Sequence, residues 1–307
     1  MANFILPLTA VLIWSANVIV NKLAVGHIFP AEIAFLRWFA AWLILTPLAL
    51  PKLWRARRDL VPHVAQYATL GVLGMALYQG IAYSAAHYTS ATNMGIILAL
   101  LPLTTLALAV VMLGDALTAG ALAGGLLSIG GVLLVVGHGS LLHLADQGIG
   151  VGDAMMVVAM LAYAFYCVLL RKWHLPLAPL PSLYAQITFA VIALLPFYLI
   201  SQKAGISMDN LPELAFAAIP VSVIAPFIWM VGVARIGPRR ATVVINLVPI
   251  FTALIAAFGL GEHLAVYHLA GGALILGGVT LGENWHRPIR KAREPMPAIA
   301  DELGSVR

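Results

Sequence analysis

Ten stretches of about twenty mainly apolar residues, cut apart by Pro, Gly and charge clusters, make up nearly all of this sequence. They run near 4–25, 30–51, 64–86, 90–113, 118–138, 150–171, 180–201, 213–235, 238–260 and 264–284. A run of that length crosses the roughly 30 Å hydrocarbon layer as a helix, since a helix satisfies its own backbone groups in lipid. A β-barrel would need short strands of alternating polarity, and a run such as Met94 to Leu113 does not alternate. Composition agrees: 62% of residues are hydrophobic and 9% charged, against about 25% charged in a soluble domain. So few charges cannot coat a soluble globule. The expectation is an all-α integral membrane protein in contact with lipid, neither a soluble enzyme nor a nucleic-acid-binding module.

The basic residues orient the spans. With the N-terminus inside, the inner loops hold Lys52, Arg55, Arg57, Arg58, Arg171, Lys172, Arg235, Arg239 and Arg240, and the tail adds Arg287, Arg290, Lys291, Arg293 and Arg307. Nearly all of the 17 Lys and Arg residues then face the cytoplasm, as the positive-inside rule requires. Both termini are expected in the cytoplasm, at a bacterial-type inner (plasma) membrane. The first span lacks a basic leader and a small-residue cleavage site, so it is expected to be retained. Residues 285–307 are polar, basic and Pro-containing, and are expected to form a disordered cytoplasmic tail.

A shift of 147 residues aligns the two halves. Leu100-Leu-Pro102-Leu-Thr-Thr105 falls on Leu247-Val-Pro249-Ile-Phe-Thr252, Gly114-Asp115 on Gly261-Glu262, and Leu122-Ala-Gly-Gly125 on Leu269-Ala-Gly-Gly272. Such self-similarity marks a repeat, expected as residues 1–146 and 147–284. Each half holds five spans, and five is odd, so the second half enters the membrane from the opposite side. Two inverted five-helix repeats related by a pseudo-two-fold axis in the membrane plane are a transporter architecture.

These pieces resemble the drug/metabolite transporter superfamily, in particular its ten-span EamA-type members. The resemblance rests on Ile13-Trp-Ser-Ala-Asn17 with Lys22, Phe35-Leu-Arg37-Trp38, the Pro102 and Pro249 spans, the Gly-Asp and Gly-Glu loops, and the Gly-Gly helices. It covers residues 4 to 284. It implies a secondary carrier, often an exporter of amino acids or related compounds, with helices arranged around a central cavity. Length and aromatic content are most similar to the aromatic amino-acid exporter branch.

Polar and aromatic groups inside the spans nominate a substrate site, because an unpaired polar group in lipid is costly. Trp14, Asn17 and Asn21 share one face of the first span. Tyr78, Gln79 and Tyr83 cluster in the third, Tyr163 and Tyr166 in the sixth, Trp229 in the eighth, and Thr242 and Asn246 before Pro249 in the ninth. Each could instead hydrogen-bond a neighbouring helix and do nothing more. Pro102 and Pro249 remove the backbone bonds to the carbonyls of Leu98 and Ile245, leaving hinges or exposed acceptors. Arg37 lies two turns into its span, five residues from Glu32, which is poor spacing for an ion pair; a structural or gating role is expected. Lys22, at the outer end of the first span, either gates the exit or simply ends the helix.

Other chemistries find little support. Ser15 and Ser84 have no His on the same face, Cys167 stands alone, and H-E-x-x-H is absent, so no catalytic residue, metal or cofactor is expected. Gly120-x-x-x-Gly124 and Gly278-x-x-x-Gly282 predict close helix packing, within the chain or in a homodimer. The expected function is export of small amphipathic metabolites, aromatic and other apolar amino acids first. A carrier of cationic drugs or other metabolites is the alternative, and an intramembrane enzyme a remote one.

Overall fold

The structure, a computed structural model, describes residues 4–140, 149–236, 244–285 and 287–290. Among them eight helices are long and apolar enough to cross a membrane: α1 (Ile5–Leu23), α2 (Pro30–Arg55), α3 (Arg57–Ala85), α4 (Ala91–Met112), α5 (Ala119–Val136), α6 (Val151–Trp173), α7 (Pro179–Ile200) and α8 (Leu211–Val233). Two shorter apolar helices follow, α9 (Val248–Leu260) and α10 (Val266–Asn284). The expected ninth span began at residue 238, whereas residues 237–243 lie outside the described part.

Local chemistry sets several helix starts. Pro30 and Pro179 open α2 and α7, where a missing N–H costs nothing. Ser90 Oγ accepts the N–H of Asn93 at 3.0 Å, and Thr118 Oγ1 accepts that of Ala121 at 3.1 Å, capping α4 and α5. Elsewhere the sequence interrupts the helices. α4 breaks at Ala99–Leu100, and Pro102 is the second residue of its second segment, Leu101–Met112. α9 starts in the same way, after a turn at Asn246–Leu247, with Pro249 second. The 147-residue shift places one break on the other. It also relates two wide, π-helical segments, Val72–Leu77 in α3 and Ala217–Ile224 in α8.

Packing follows the same correspondence. α1 lies against α8 and α9, while α6 lies against α3 and α4; α2 packs on α7, and α5 on α10. The α5–α10 seam is backbone against backbone. A Cβ on Gly124 would sit 2.2 Å from the Gly278 carbonyl oxygen, and one on Gly131 would sit 2.6 Å from that of Gly271. The shift exchanges those two contacts. Between them Ser128 Oγ donates to the Ile275 carbonyl at 3.1 Å, and the shift carries Ser128 onto Ile275 itself. The two small-residue rows therefore meet within one chain.

Beyond α10, β1 (Leu117–Thr118) pairs antiparallel with β2 (Pro288–Arg290), and the Ala119 N–H donates to the Arg287 carbonyl at 2.8 Å. The expected tail thus begins with an ordered clasp on the α4–α5 loop. Residues 291–307 lie outside the described part.

Candidate functional site

The aromatic residues nominated from the sequence gather in two groups. Trp14 of α1 meets Trp229 of α8 with ring centroids 5.4 Å apart and planes tilted by 57°. Val244, Ile245, Val248 and Phe251, around the start of α9, close this group. Tyr78 of α3 meets Tyr163 of α6 at 4.8 Å, and Tyr163 continues to Tyr166 at 5.3 Å. The groups thus bridge α1–α8 and α6–α3, the helix pairs that the repeat relates.

Amides accompany them. Asn17, Asn21 and Gln79 are more than nine-tenths buried, and their side-chain oxygens have no hydrogen-bond partner among the described residues. Leaving a buried acceptor unpaired costs about 1–3 kcal/mol. Asn93 and Gln186 carry buried oxygens of the same kind, so what sets the three on α1 and α3 apart is that they share those helices with Trp14 and Tyr78. Asn246 is half-buried in the turn before α9. Thr242 lies outside the described residues.

Arg37 forms a third group, built around the π-helical segments. It is 1% exposed. Its Nε and Nη2 donate to Ser222 Oγ of α8 at 3.2 and 2.8 Å, and its Nη1 donates to the Tyr83 hydroxyl of α3 at 3.1 Å. Ser222 in turn donates to the Ala217 carbonyl, five residues back across the wide turn, at 2.8 Å. The next residue, Trp38, donates its Nε1–H to the Met75 carbonyl in the other wide turn at 3.2 Å. Glu32 is occupied elsewhere: it accepts the N–H groups of Ala204 and Gly205 at 2.8 and 3.0 Å. The five-residue spacing does leave Arg37 and Glu32 unpaired. Tyr83 belongs with Arg37, and no ring contact joins it to the other tyrosines among the described residues.

Lys22 ends a helix, though not its own. Its Nζ donates to the carbonyls of Ala86 and Thr89 at 2.7 and 2.9 Å, closing the C-terminus of α3. It also borders a cavity of about 570 Å³ where α3 ends and α4, α6 and α10 begin. Sequence reasoning missed the acidic residues there. Asp153, buried in the first turn of α6, accepts from Thr89 Oγ1 and from Asn93 Nδ2 at 3.3 Å. Glu262 caps α4 across the bundle, accepting the N–H groups of Ala91 and Thr92 at 2.9 and 3.0 Å. The signal for Glu262 was its match to Asp115 in the repeat. Asp153 had only its place just inside a span, where an acid reads as an interfacial residue.

Comparison with known proteins gives this geometry a context. The sequence model of the EamA-like transporter family matches the chain twice, over residues 2–137 and 150–282. An uncharacterized transporter of Bacillus subtilis, YyaM, is 27% identical over 84% of this chain and 86% of its own length. An uncharacterized transporter of Archaeoglobus fulgidus is 29% identical, covering 91% and 96%. A protein of Salmonella typhimurium named "Probable amino-acid metabolite efflux pump" is 26% identical, covering 94% and 97%. One solved crystal structure shares the fold, with a TM-score of 0.59 at 18% identity, over 91% of this chain and 96% of that one.

Proposed function

The chain belongs to the EamA-like transporter family, and from that premise we propose an alternating-access exporter of small amphipathic metabolites, aromatic and other apolar amino acids first among them. That it is a multi-pass membrane transporter rather than an enzyme follows from the family and its relatives. Substrate and mechanism are the proposal.

One observation carries the substrate class. Buried amide oxygens without partners, on Asn17, Asn21 and Gln79, share α1 and α3 with the aromatic groups of Trp14 and Tyr78. Rings of this kind fit an apolar side chain, and the oxygens fit its polar end. The printed name of the Salmonella relative supports amino acids. Alternating access is supported by the doubled family match, the matching breaks at Ala99–Leu100 and Asn246–Leu247, and the exchanged glycine contacts. An inverted pair of five-helix repeats, 1–146 and 147–284, accounts for all three, with both termini cytoplasmic.

Proteoliposomes preloaded with radiolabelled phenylalanine or tryptophan test the reading. Flux above empty liposomes is expected, reduced at least about tenfold by Trp14→Ala, Tyr78→Ala or Trp229→Ala in folded protein. No flux for any amino acid overturns it. A second reading, export of organic cations, is favoured by Asp153 and Glu262 beside the polar cavity. Including tetraphenylphosphonium in the same panel decides between them, since flux of that cation alone would select the second.

A further inference from the structure

Arg37 holds a full positive charge in the interior of the bundle with neutral partners only. Among the described residues the ion pairs are His27–Glu213 and Arg171–Asp115, both with exposed cations, and neither involves Arg37. The nearest carboxylate on its own helix, Glu32, is committed to the backbone of Ala204 and Gly205. A guanidinium has five N–H donors. Ser222 and Tyr83 take one each from Nε, Nη1 and Nη2, which leaves one N–H on each η nitrogen without an acceptor among the described residues.

The ring centroids of Trp38 and Tyr83 lie 4.8 and 5.9 Å from the Arg37 guanidinium carbon and offset part of the charge. No carboxylate among the described residues does, and a staple between helices would need neither the charge nor those two donors. One remaining N–H on each η nitrogen gives two donors, the number that a carboxylate takes from a guanidinium. Gln79, whose buried oxygen lacks a partner, lies one helical turn before Tyr83 and on the same face of α3. The neighbourhood therefore offers donors for an anion and, one turn away, an acceptor for an ammonium group. We propose that Arg37 anchors the carboxylate of the transported molecule, so that the substrate is a zwitterion or an acid rather than an amine. This rests on the amino-acid reading above. Because Arg37 is 1% exposed, the anion reaches it when α2 parts from α8 or α3, which couples recognition to the wide turns held by Ser222 and Met75.

The test is competition against phenylalanine counterflow in proteoliposomes containing the full chain. In the wild type, unlabelled phenylalanine should compete at least about tenfold better than phenethylamine or phenylalanine methyl ester, both lacking the carboxylate. Arg37→Gln should bring that ratio close to one, and Arg37→Lys should restore part of it, with melting temperatures of folded variants recorded in parallel. A wild-type protein that takes the ester as well as the acid overturns the anchor even if no variant folds. So does Arg37→Gln that loses phenylalanine and phenethylamine flux in equal measure with the ratio intact. Absence of any amino-acid flux in the wild type, with amines carried instead, overturns the amino-acid reading and the anchor together; amino-acid flux with no carboxylate preference overturns the anchor alone.

Discussion

Five buried amide oxygens, on Asn17, Asn21, Gln79, Asn93 and Gln186, have no partner among the described residues, and each weakens the fold by about 1–3 kcal/mol. Sites kept at the expense of stability are often functional. Asn17→Leu, close in volume and without the acceptor, should therefore raise stability by about 1 kcal/mol while lowering phenylalanine flux; thermal denaturation alongside a proteoliposome assay checks both. A less stable variant with normal flux would make Asn17 an ordinary structural residue. Periodicity alone brought Trp14, Asn17 and Asn21 to one face, and the burial of the two amides and the ring contact of the half-buried Trp14 follow from it. The partners of Arg37 were not legible, because Ser222 lies 185 residues away and is uncharged. Lys22 was legible as the end of a helix, but nothing in its sequence context says that the helix it closes is α3.

At the scale of helices, proline announces some irregularities and not others. Pro102 and Pro249 forecast the breaks at Ala99–Leu100 and Asn246–Leu247, since neither can donate to the carbonyl four residues back. The wide turn of α8 contains Pro220, but Val72–Leu77 in α3 contains no residue that marks it. Its width rests on distant contacts such as the Trp38 bond to Met75, which local sequence does not encode. The glycine rows of α5 and α10 are nearer the opposite case: small residues four apart announce close packing on each helix, though not that the two helices pack on each other. Gly124→Val should destabilise the protein by about 1–3 kcal/mol or more, because the added carbons would collide with the Gly278 carbonyl. Gly125→Ala, where nothing lies within 4 Å of the new carbon, should be close to neutral. Size-exclusion after a heating series distinguishes the two, and equal melting of both variants would refute the seam.

For the whole molecule, the eight long helices were legible because lipid sets a common minimum length for a crossing helix. Helix neighbours were not, since lipid-facing and core-facing surfaces are equally apolar and periodicity cannot tell them apart. The proposed orientation predicts that alkaline phosphatase fused after Gly205 is active and that a fusion after Arg290 is inactive; the reverse pattern would invert the topology. The α5–α10 seam has a mechanical meaning as well. Carbonyl oxygens of one helix stand where side chains of the other would have to pass, so neither helix can slide along its neighbour. With the β1–β2 clasp fastening the end of α10 to the loop before α5, the pair is held together at both places. In the alternating-access cycle proposed above it would serve as a fulcrum, with the broken helices α4 and α9 as the levers.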